Sequence, residues 1–547
     1  MRSSSPKLLG HVAACLAVMY MGCGGSGSSA GNSGSGGRTS SGGSTGTGGA
    51  STSSGGATGS GGKGSGGAAS SGGAPGTGGA STSSGGATGS GGKVGGSGGV
   101  PASSGGAGPA GGATGSGGKV GGSGGVTPTG GAGAGTAGAP GSGGSAPGGS
   151  TGTVNWGKEE DPSSHCTVTG KFPTYDMLTA DPKLPDPFKM LDGTRITNKS
   201  QWACRREELL KQLFNYVYGD KPIPAKGSVT GTVSTTKISV KVAEGSKSTS
   251  FDVTVSMNGA TMPAPAIIIY DGGLGAPLPI PSGVAKITLN AIEASGGSGP
   301  KTGPFFTYYG SDHPAGYMIA QAWQVSRIID LLEQNPGTID AAHIGVTGCS
   351  RNGKGAFAGG VFDNRVALTI PCESGIGGTV GLRLKEQLDP GANDTAEWPY
   401  HAISYVRWLS EIALGPFAKS NDAAGDNTDH LPVDMHEAMA LIAPRAIYVV
   451  DNPGITNLDP KSAYVTGMAG KAIFGALGVA DHFAYQGASG SHCQWRSAYD
   501  ASLTAMINRF LLGKDSTMTG NFATDLGSKP TVSQYYTWDA TELPGSL

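Results

Sequence analysis

Residues 348–354 read Gly348-Cys349-Ser350-Arg351-Asn352-Gly353-Lys354. They follow the apolar, β-branched run Ile344-Gly345-Val346-Thr347 and precede a small-residue stretch, Gly355 to Gly360, with the character of a close-packed helix. A serine hemmed by glycines at a strand-to-helix turn is how an α/β-hydrolase presents its nucleophile. The turn lifts the hydroxyl clear of the sheet, and the helix N-terminus behind it favours developing negative charge. The spacing is G-x-S-x-x-G, and the Arg and Lys around the serine are more specific than the generic motif.

The flanking segments carry the alternation of strand and helix that such a turn needs. The spacing predicts a helix over Trp202–Val217 with Ser200 as its N-cap. Lys237–Val242 and Ser250–Met257 alternate as strands, and Ala266–Tyr270 is a continuous apolar run of the kind buried in a parallel sheet. Asp271-Gly272-Gly273 after it is a Gly-rich turn suited to part of an oxyanion hole. Met318–Leu332 is an amphipathic helix, and Asp340 opens the strand that leads to Ser350. Val366–Ile370 is a strand ending at Pro371-Cys372-Glu373. A helix from Met435 is broken by Pro444, and strand Ala446–Val450 ends in Asp451. His482–Gln486 reads as the last strand, with Gly487–Ser491 delivering His492. The expected fold is an α/β-hydrolase: a mainly parallel sheet sandwiched by helices, with its site at the strand C-terminal ends.

Serine needs a base to take its proton and a third group to orient that base. Ser350, Glu373 and His492 meet the chain order nucleophile, acid, base, each just after an expected strand. Glu373 comes only one strand beyond the nucleophile. Asp451, one strand later, is the rival acid. The remaining histidines of the folded part (165, 313, 343, 401, 430, 436 and 482) read as surface or core residues, Trp202 and Trp323 as core, and Cys372 as a buried thiol.

The N-terminal third is different in kind. Of 547 residues 102 are glycine, and most of the excess precedes residue 152. Gly24 to Ser150 is almost wholly Gly, Ser, Ala and Thr with some Pro, and it repeats itself: GGASTSSGGATGSGGK begins at Gly48 and again at Gly78. Such a segment has too little apolar surface to offset its ordering entropy, so residues 24–152 are expected to be a disordered tether with a random-coil reach of about 60–70 Å. Residues 1–23 read as a signal peptide, with Arg2 and Lys7 ahead of a short apolar run ending Tyr20-Met21-Gly22-Cys23, which looks like a bacterial lipoprotein cleavage box with Cys23 as the acylated residue. The folded catalytic domain is then 153–547. A formal net charge of −1 without a basic stripe argues against nucleic acid as a partner. With no C-x-x-C or other ligand cluster, neither a metal nor another cofactor is expected. The chain is read as an exported monomer, extracellular or held at the cell surface as an outer-membrane lipoprotein, that meets the membrane only through a lipid on Cys23.

The stretches GCSRNGKGA, VFDNRVALTIPCESG and GSHCQW, with DPFKMLDGTRITNKSQWACRREELL and HEAMALIAPRAIYV, resemble the glucuronoyl esterases, carbohydrate esterase family 15, most closely their fungal-like branch. The resemblance implies a serine hydrolase that cleaves esters between 4-O-methyl-glucuronic acid of glucuronoxylan and lignin alcohols. It implies Ser350 as nucleophile, His492 as base, Glu373 as orienting acid, Arg351 at the oxyanion and Lys354 on the sugar hydroxyls. In the sugar pocket the chain departs from the family: a tryptophan expected before Leu458 is Asn457, and in the loop 392–408 Glu397 is the candidate sugar ligand. Other readings kept open are a different serine carboxylesterase on the same fold and a non-catalytic polysaccharide-binding lipoprotein.

Cys349 precedes the nucleophile and Cys493 follows the histidine. If Ser350 and His492 meet, these neighbours fall within bridging range, with Cα atoms roughly 4.4–6.8 Å apart. Cys166 with Cys204 would pin the N-terminal segment to the helix near Trp202, leaving Cys372 free. The resemblance implies the same two pairings.

Overall fold

The computed structural model describes residues 156–162, 166–168, 171–271, 278–291, 300–384, 388, 397–420 and 426–547. The expected signal peptide and tether, and Gly272-Gly273 of the expected oxyanion turn, lie outside them. The strands are β1 (Val229–Val233), β2 (Lys237–Glu244), β3 (Lys247–Ser256), β4 (Ala264–Asp271), β5 (Ala285–Asn290), β6 (Ile339–Cys349), β7 (Val366–Cys372), β8 (Ala446–Asp451), β9 (Phe483–Gly487) and β10 (Phe522–Thr524). The helices are α1 (Trp202–Leu213), α2 (Pro304–Tyr309), α3 (Tyr317–Gln334), α4 (Arg351–Phe362), α5 (Pro399–Ser404), α6 (Glu411–Leu414), α7 (Met435–Ala440), α8 (Pro460–Ala476) and α9 (Asp500–Phe510).

The strands form one sheet in the order β1-β2-β3-β5-β4-β6-β7-β8-β9-β10. From β5 to β10 every pair is parallel, while β1, β2 and β3 run antiparallel at one end. This is the α/β-hydrolase architecture. The apolar run in β4 shows why the sheet is covered on both sides. Ala266, Ile268 and Tyr270 pack into one core with α1, α3, α4 and α8, whereas Ile267 and Ile269 pack into a second core with α9. β8 divides in the same way, Ile447 and Val449 to one side, Tyr448 and Val450 to the other. Successive side chains of a strand point to opposite faces, so a strand buried on both must be apolar throughout.

Local details differ from expectation for identifiable reasons. Ser200 is not the cap of α1. Asn198 accepts from the Gln201 N–H and Gln201 reaches back to the Asn198 backbone, a capping box that opens a 3₁₀ turn ahead of Trp202. The α-helix ends at Leu213 and Phe214–Tyr218 continues as a π-turn. His482 lies in a 3₁₀ turn before β9, and β9 is not the last strand, because the three-residue β10 pairs beside it. So short a strand has no periodicity to read. β1, with its middle three residues exposed, likewise carries no alternating pattern. The α7 helix ends at Ala440 and turns carry the chain to Pro444, which has no N–H with which to continue the helical ladder. Cys166 is bonded to Cys204 with Cα atoms 5.2 Å apart, which ties the N-terminal segment to α1. No helix among the described residues is long and apolar enough to cross a membrane.

The glycines of α4 let this helix lie directly on β7. A Cβ placed on Gly353 would sit 2.3 Å from the Cys372 carbonyl oxygen, a backbone atom that cannot rotate away. Gly353→Ala is therefore expected to cost about 1–3 kcal/mol through overpacking and to push Ser350 off its turn. Urea unfolding should show the lower midpoint. An unchanged midpoint would contradict the close helix–sheet packing.

Candidate active site

The lateral register of the parallel strands builds the site. Cys349 of β6 is the partner of Cys372 of β7, and Cys372 is the partner of Val450 of β8. The residues just beyond these ends are therefore neighbours. Ser350 donates its backbone N–H to the Cys372 carbonyl at 2.9 Å, and Glu373 donates its own to the Val450 carbonyl at 2.7 Å. Ser350 sits at φ 60°, ψ −128°, and Glu373 at φ 45°. Positive φ at a residue with a Cβ costs about 1–3 kcal/mol and persists only where its surroundings over-determine it. At Ser350 the turn leaves the hydroxyl at the N-terminus of α4 with no hydrogen bond to a described residue, while the Ser350 carbonyl accepts from the Lys354 N–H at 3.1 Å and starts the helix.

His492 reaches this point from the loop after β9. Its Nδ1 is 2.7 Å from Glu373 Oε2, and the same oxygen accepts the Cys493 N–H at 3.0 Å. The other carboxylate oxygen accepts from Arg496 at 3.3 Å. With Nδ1 on the carboxylate, Nε2 lies 3.7 Å from Cys493 Sγ and makes no hydrogen bond to the Ser350 hydroxyl, so it is the nitrogen available to a reacting hydroxyl. Cys349 and Cys493 are bonded with Cα atoms 5.8 Å apart, so the residues flanking Ser350 and His492 are joined covalently. Cys372 is free and buried, as expected. Cys349, Glu373, His492 and Cys493 gather their sulfur, oxygen and nitrogen atoms within 4.8 Å of one another. The disulfide takes both thiolates, and the one imidazole and one carboxylate that remain are fewer ligands than a zinc site needs.

Of the two candidate acids, the structure brings Glu373 to His492. Asp451, on the next strand, gives Oδ2 to the Tyr485 hydroxyl at 2.6 Å. The two carboxyls are both buried, and their acidities are shifted in opposite directions. For Glu373 burial favours the neutral acid, but hydrogen bonds from His492, the Cys493 N–H and the Asn452 side chain outweigh it and hold the group below the usual carboxylate range. For Asp451 burial dominates, a tyrosine and a backbone N–H offset it only in part, nearby Glu373 adds repulsion, and the group is pushed up to about 6.

Lys354, one helical turn beyond Ser350, is completely buried. Its ammonium donates to Glu397 Oε2 at 2.7 Å and to the Ser374 carbonyl, and it lies over the Trp408 ring at 4.3 Å from the centroid. Burial lowers its pKa, and the Glu397 charge opposes that fall. Glu397 also accepts the Ile376 N–H at 2.9 Å, and its own N–H donates to the Asn457 carbonyl at 3.0 Å. Asn457, where the family resemblance calls for tryptophan, thus holds Glu397 through its backbone. Arg351 is partly buried at the first position of α4 and has no hydrogen bond or ion pair with a described residue. Trp408, Asn452, Tyr485 and Arg496 were not singled out by sequence. Arg496 lies just beyond the GSHCQW stretch and Asn452 directly follows Asp451, so adjacency was the one signal available.

A mainly parallel hydrolase sheet, with a serine and a carboxylate just beyond two neighbouring strand ends and a histidine brought to the carboxylate by a loop, defines an α/β-hydrolase of the esterase kind. Comparison with known proteins narrows this. The family model "Glucuronyl esterase, fungi" matches residues 240–478. The 4-O-methyl-glucuronoyl methylesterase of Hypocrea jecorina is 38% identical over 380 residues, covering 67% of this chain and 77% of that protein. The crystallised glucuronoyl esterase catalytic domain from Hypocrea jecorina superimposes with a TM-score of 0.62 at 35% identity, over 69% of this chain and 100% of that one. A glucuronoyl esterase variant from Sporotrichum thermophile, solved with methyl 4-O-methyl-β-D-glucopyranuronate bound, gives 0.61 at 36% identity, over 68% and 96%. The chain belongs to the glucuronoyl esterase family, carbohydrate esterase family 15, and is an ester hydrolase.

The state of Asp451 has a measurable consequence. A carboxyl whose folded pKa lies above its unfolded value favours folding below the unfolded value, near pH 4, and that contribution is lost as pH rises through about 6. Asp451→Asn, which stays neutral and can still accept from Tyr485, should gain stability relative to the parent as pH rises from 4 to 7.5, by about 1–3 kcal/mol, and should keep most of its turnover. Urea unfolding across pH measures the first and ester hydrolysis the second. Loss of turnover with Glu373→Ala still active would make Asp451 the orienting acid.

Proposed function

We propose that this chain hydrolyses esters of 4-O-methyl-glucuronic acid carried by glucuronoxylan, with lignin alcohols as leaving groups, through Ser350, His492 and Glu373. The observation that carries the reading is the 2.7 Å contact of His492 Nδ1 with Glu373 beside the Cys349–Cys493 bond, which sets the imidazole next to the nucleophile turn. The relative from Sporotrichum thermophile, with its bound methyl glucuronate ester, supports the substrate class.

His492 Nε2 takes the proton of Ser350 as Oγ attacks the ester carbonyl carbon. The carbonyl π electrons move to oxygen, and the Arg351 guanidinium, free of protein partners among the described residues, offers its charge to that oxyanion. Collapse of the tetrahedral adduct breaks the C–O bond to the alcohol, which leaves with the proton from His492. Water then attacks the acyl carbon and gives a proton to His492, which passes it to Ser350 Oγ as the C–Oγ bond breaks, and the uronic acid departs. Glu373 stays ionised throughout and stabilises the imidazolium. Lys354, held by Glu397 and backed by Trp408, presents the polar wall for the sugar hydroxyls. Residues 1–23 are proposed as a lipoprotein signal with Cys23 acylated, 24–152 as a surface tether and 153–547 as the catalytic domain of an exported monomer.

The deciding measurement compares benzyl glucuronate with p-nitrophenyl acetate. A kcat/KM ratio strongly favouring the glucuronate, abolished in Ser350→Ala, is the expected result; equal or reversed preference would make the chain a general carboxylesterase, and failure of Ser350 to react with a fluorophosphonate would make it a binder. Arg351→Lys keeps the charge but not the planar fork, so kcat should fall more than KM rises. A pure KM effect would place Arg351 on the ground-state sugar. Cys23→Ser should release the protein from the membrane fraction, and unchanged fractionation would refute the lipid anchor.

A further inference from the structure

Two side chains outside the proposed triad converge on the histidine loop. Asn452, the first residue beyond β8, is buried, with 1% of its surface exposed. Its amide donates to the carbonyls of Gly490 and Ser491 at 3.1 and 3.4 Å, and its oxygen accepts the N–H groups of Gly490 and Gly454 at 3.1 Å each. One side chain thereby holds the two residues that lead directly into His492. Arg496 closes the loop from its far side. It donates to the Ser491 carbonyl at 2.7 Å, to the Tyr499 hydroxyl at 2.8 Å and to Glu373 Oε1 at 3.3 Å. Tyr499 in turn donates to the carbonyls of Asp451, the last residue of β8, and of Ala488, the entrance of the loop.

We propose that Asn452 and Arg496 are positioning residues for the reaction, which together fix the loop from Ala488 to Cys493 so that His492 is presented to Glu373 and to the serine at one distance. The reason is geometric. A glycine-rich loop with only backbone turns has many conformations, and the Cys349–Cys493 bond restrains one point on it. A disulfide permits rotation about that point. Asn452 removes the freedom at Gly490 and Ser491, and Arg496 couples the loop to the unused oxygen of Glu373, so the imidazole and its acid move as one body. Neither residue reaches the reacting atoms, so each acts through His492 and Glu373.

The inference rests on the serine-hydrolase reading above, and its test uses a probe that needs the triad but no uronate. For the full chain, the rate of Ser350 modification by a fluorophosphonate is measured beside kcat and KM on benzyl glucuronate, all per titratable serine. In Asn452→Ala and Arg496→Gln, kcat and the labelling rate should fall together by about tenfold to a hundredfold, with KM changed less than about twofold, as misplacement of a catalytic group predicts. Arg496→Lys, which retains one donor for Glu373, should recover part of both rates and guards against a variant that does not fold. A lower melting temperature with unchanged kcat and labelling rate per serine would overturn the proposal and make the clamp structural. Absence of labelling in the parent chain would instead defeat the underlying reading. Labelling without glucuronate turnover would change the substrate and leave the clamp testable by labelling alone.

Discussion

Two backbone hydrogen bonds, Ser350 N–H to the Cys372 carbonyl and Glu373 N–H to the Val450 carbonyl, carry the register of the parallel sheet one residue past the ends of β6 and β7. Everything at the site depends on that extension. Both residues take positive φ there, which no local preference of serine or glutamate supplies. The strain is held by the packing of α4 on β7, which needs glycine at 353, and by the sheet beneath it. Ser350 and Glu373 are thus placed by the same ladder that builds the core, and only His492 has to be brought in from a loop.

That difference explains where the covalent and polar restraints lie. The bond from Cys349 to Cys493 closes a long segment, 144 residues apart in sequence, between the rigid strand end and the loop. Loop-closure arguments give such a bond about 5 kcal/mol of stabilisation. Its position between the residues flanking Ser350 and His492 matters more for the site than its entropy, since it limits how far the two side chains can separate.

Electrostatics at the strand ends follow from the number of donors each buried charge finds. Glu373 meets His492, a backbone N–H, Asn452 and Arg496 and is held ionised. Asp451 meets chiefly one tyrosine and sits beside the Glu373 charge, so burial wins. The Glu373 charge disfavours ionisation of Asp451, and their unlike environments move the two acidities apart. Lys354 is buried more completely than either, and Glu397 and the Trp408 face compensate it.

The sequence by itself determined much of this protein. The glycine-flanked Ser350, the apolar runs 266–270 and 446–450, and the order of Ser350, Glu373 and His492 announce an α/β-hydrolase, because strand burial and nucleophile turns leave local patterns. Short or exposed strands such as β10 and β1 left none. Which of Glu373 and Asp451 turns toward the histidine was decided only by tertiary structure: both follow strands of the same parallel sheet, and their difference lies in side chains contributed by Asn452, Tyr485 and Arg496. The union of Lys354 with Glu397, 43 residues away, was equally invisible, since no periodicity links a helix residue to a loop residue that meets it only when the chain is folded.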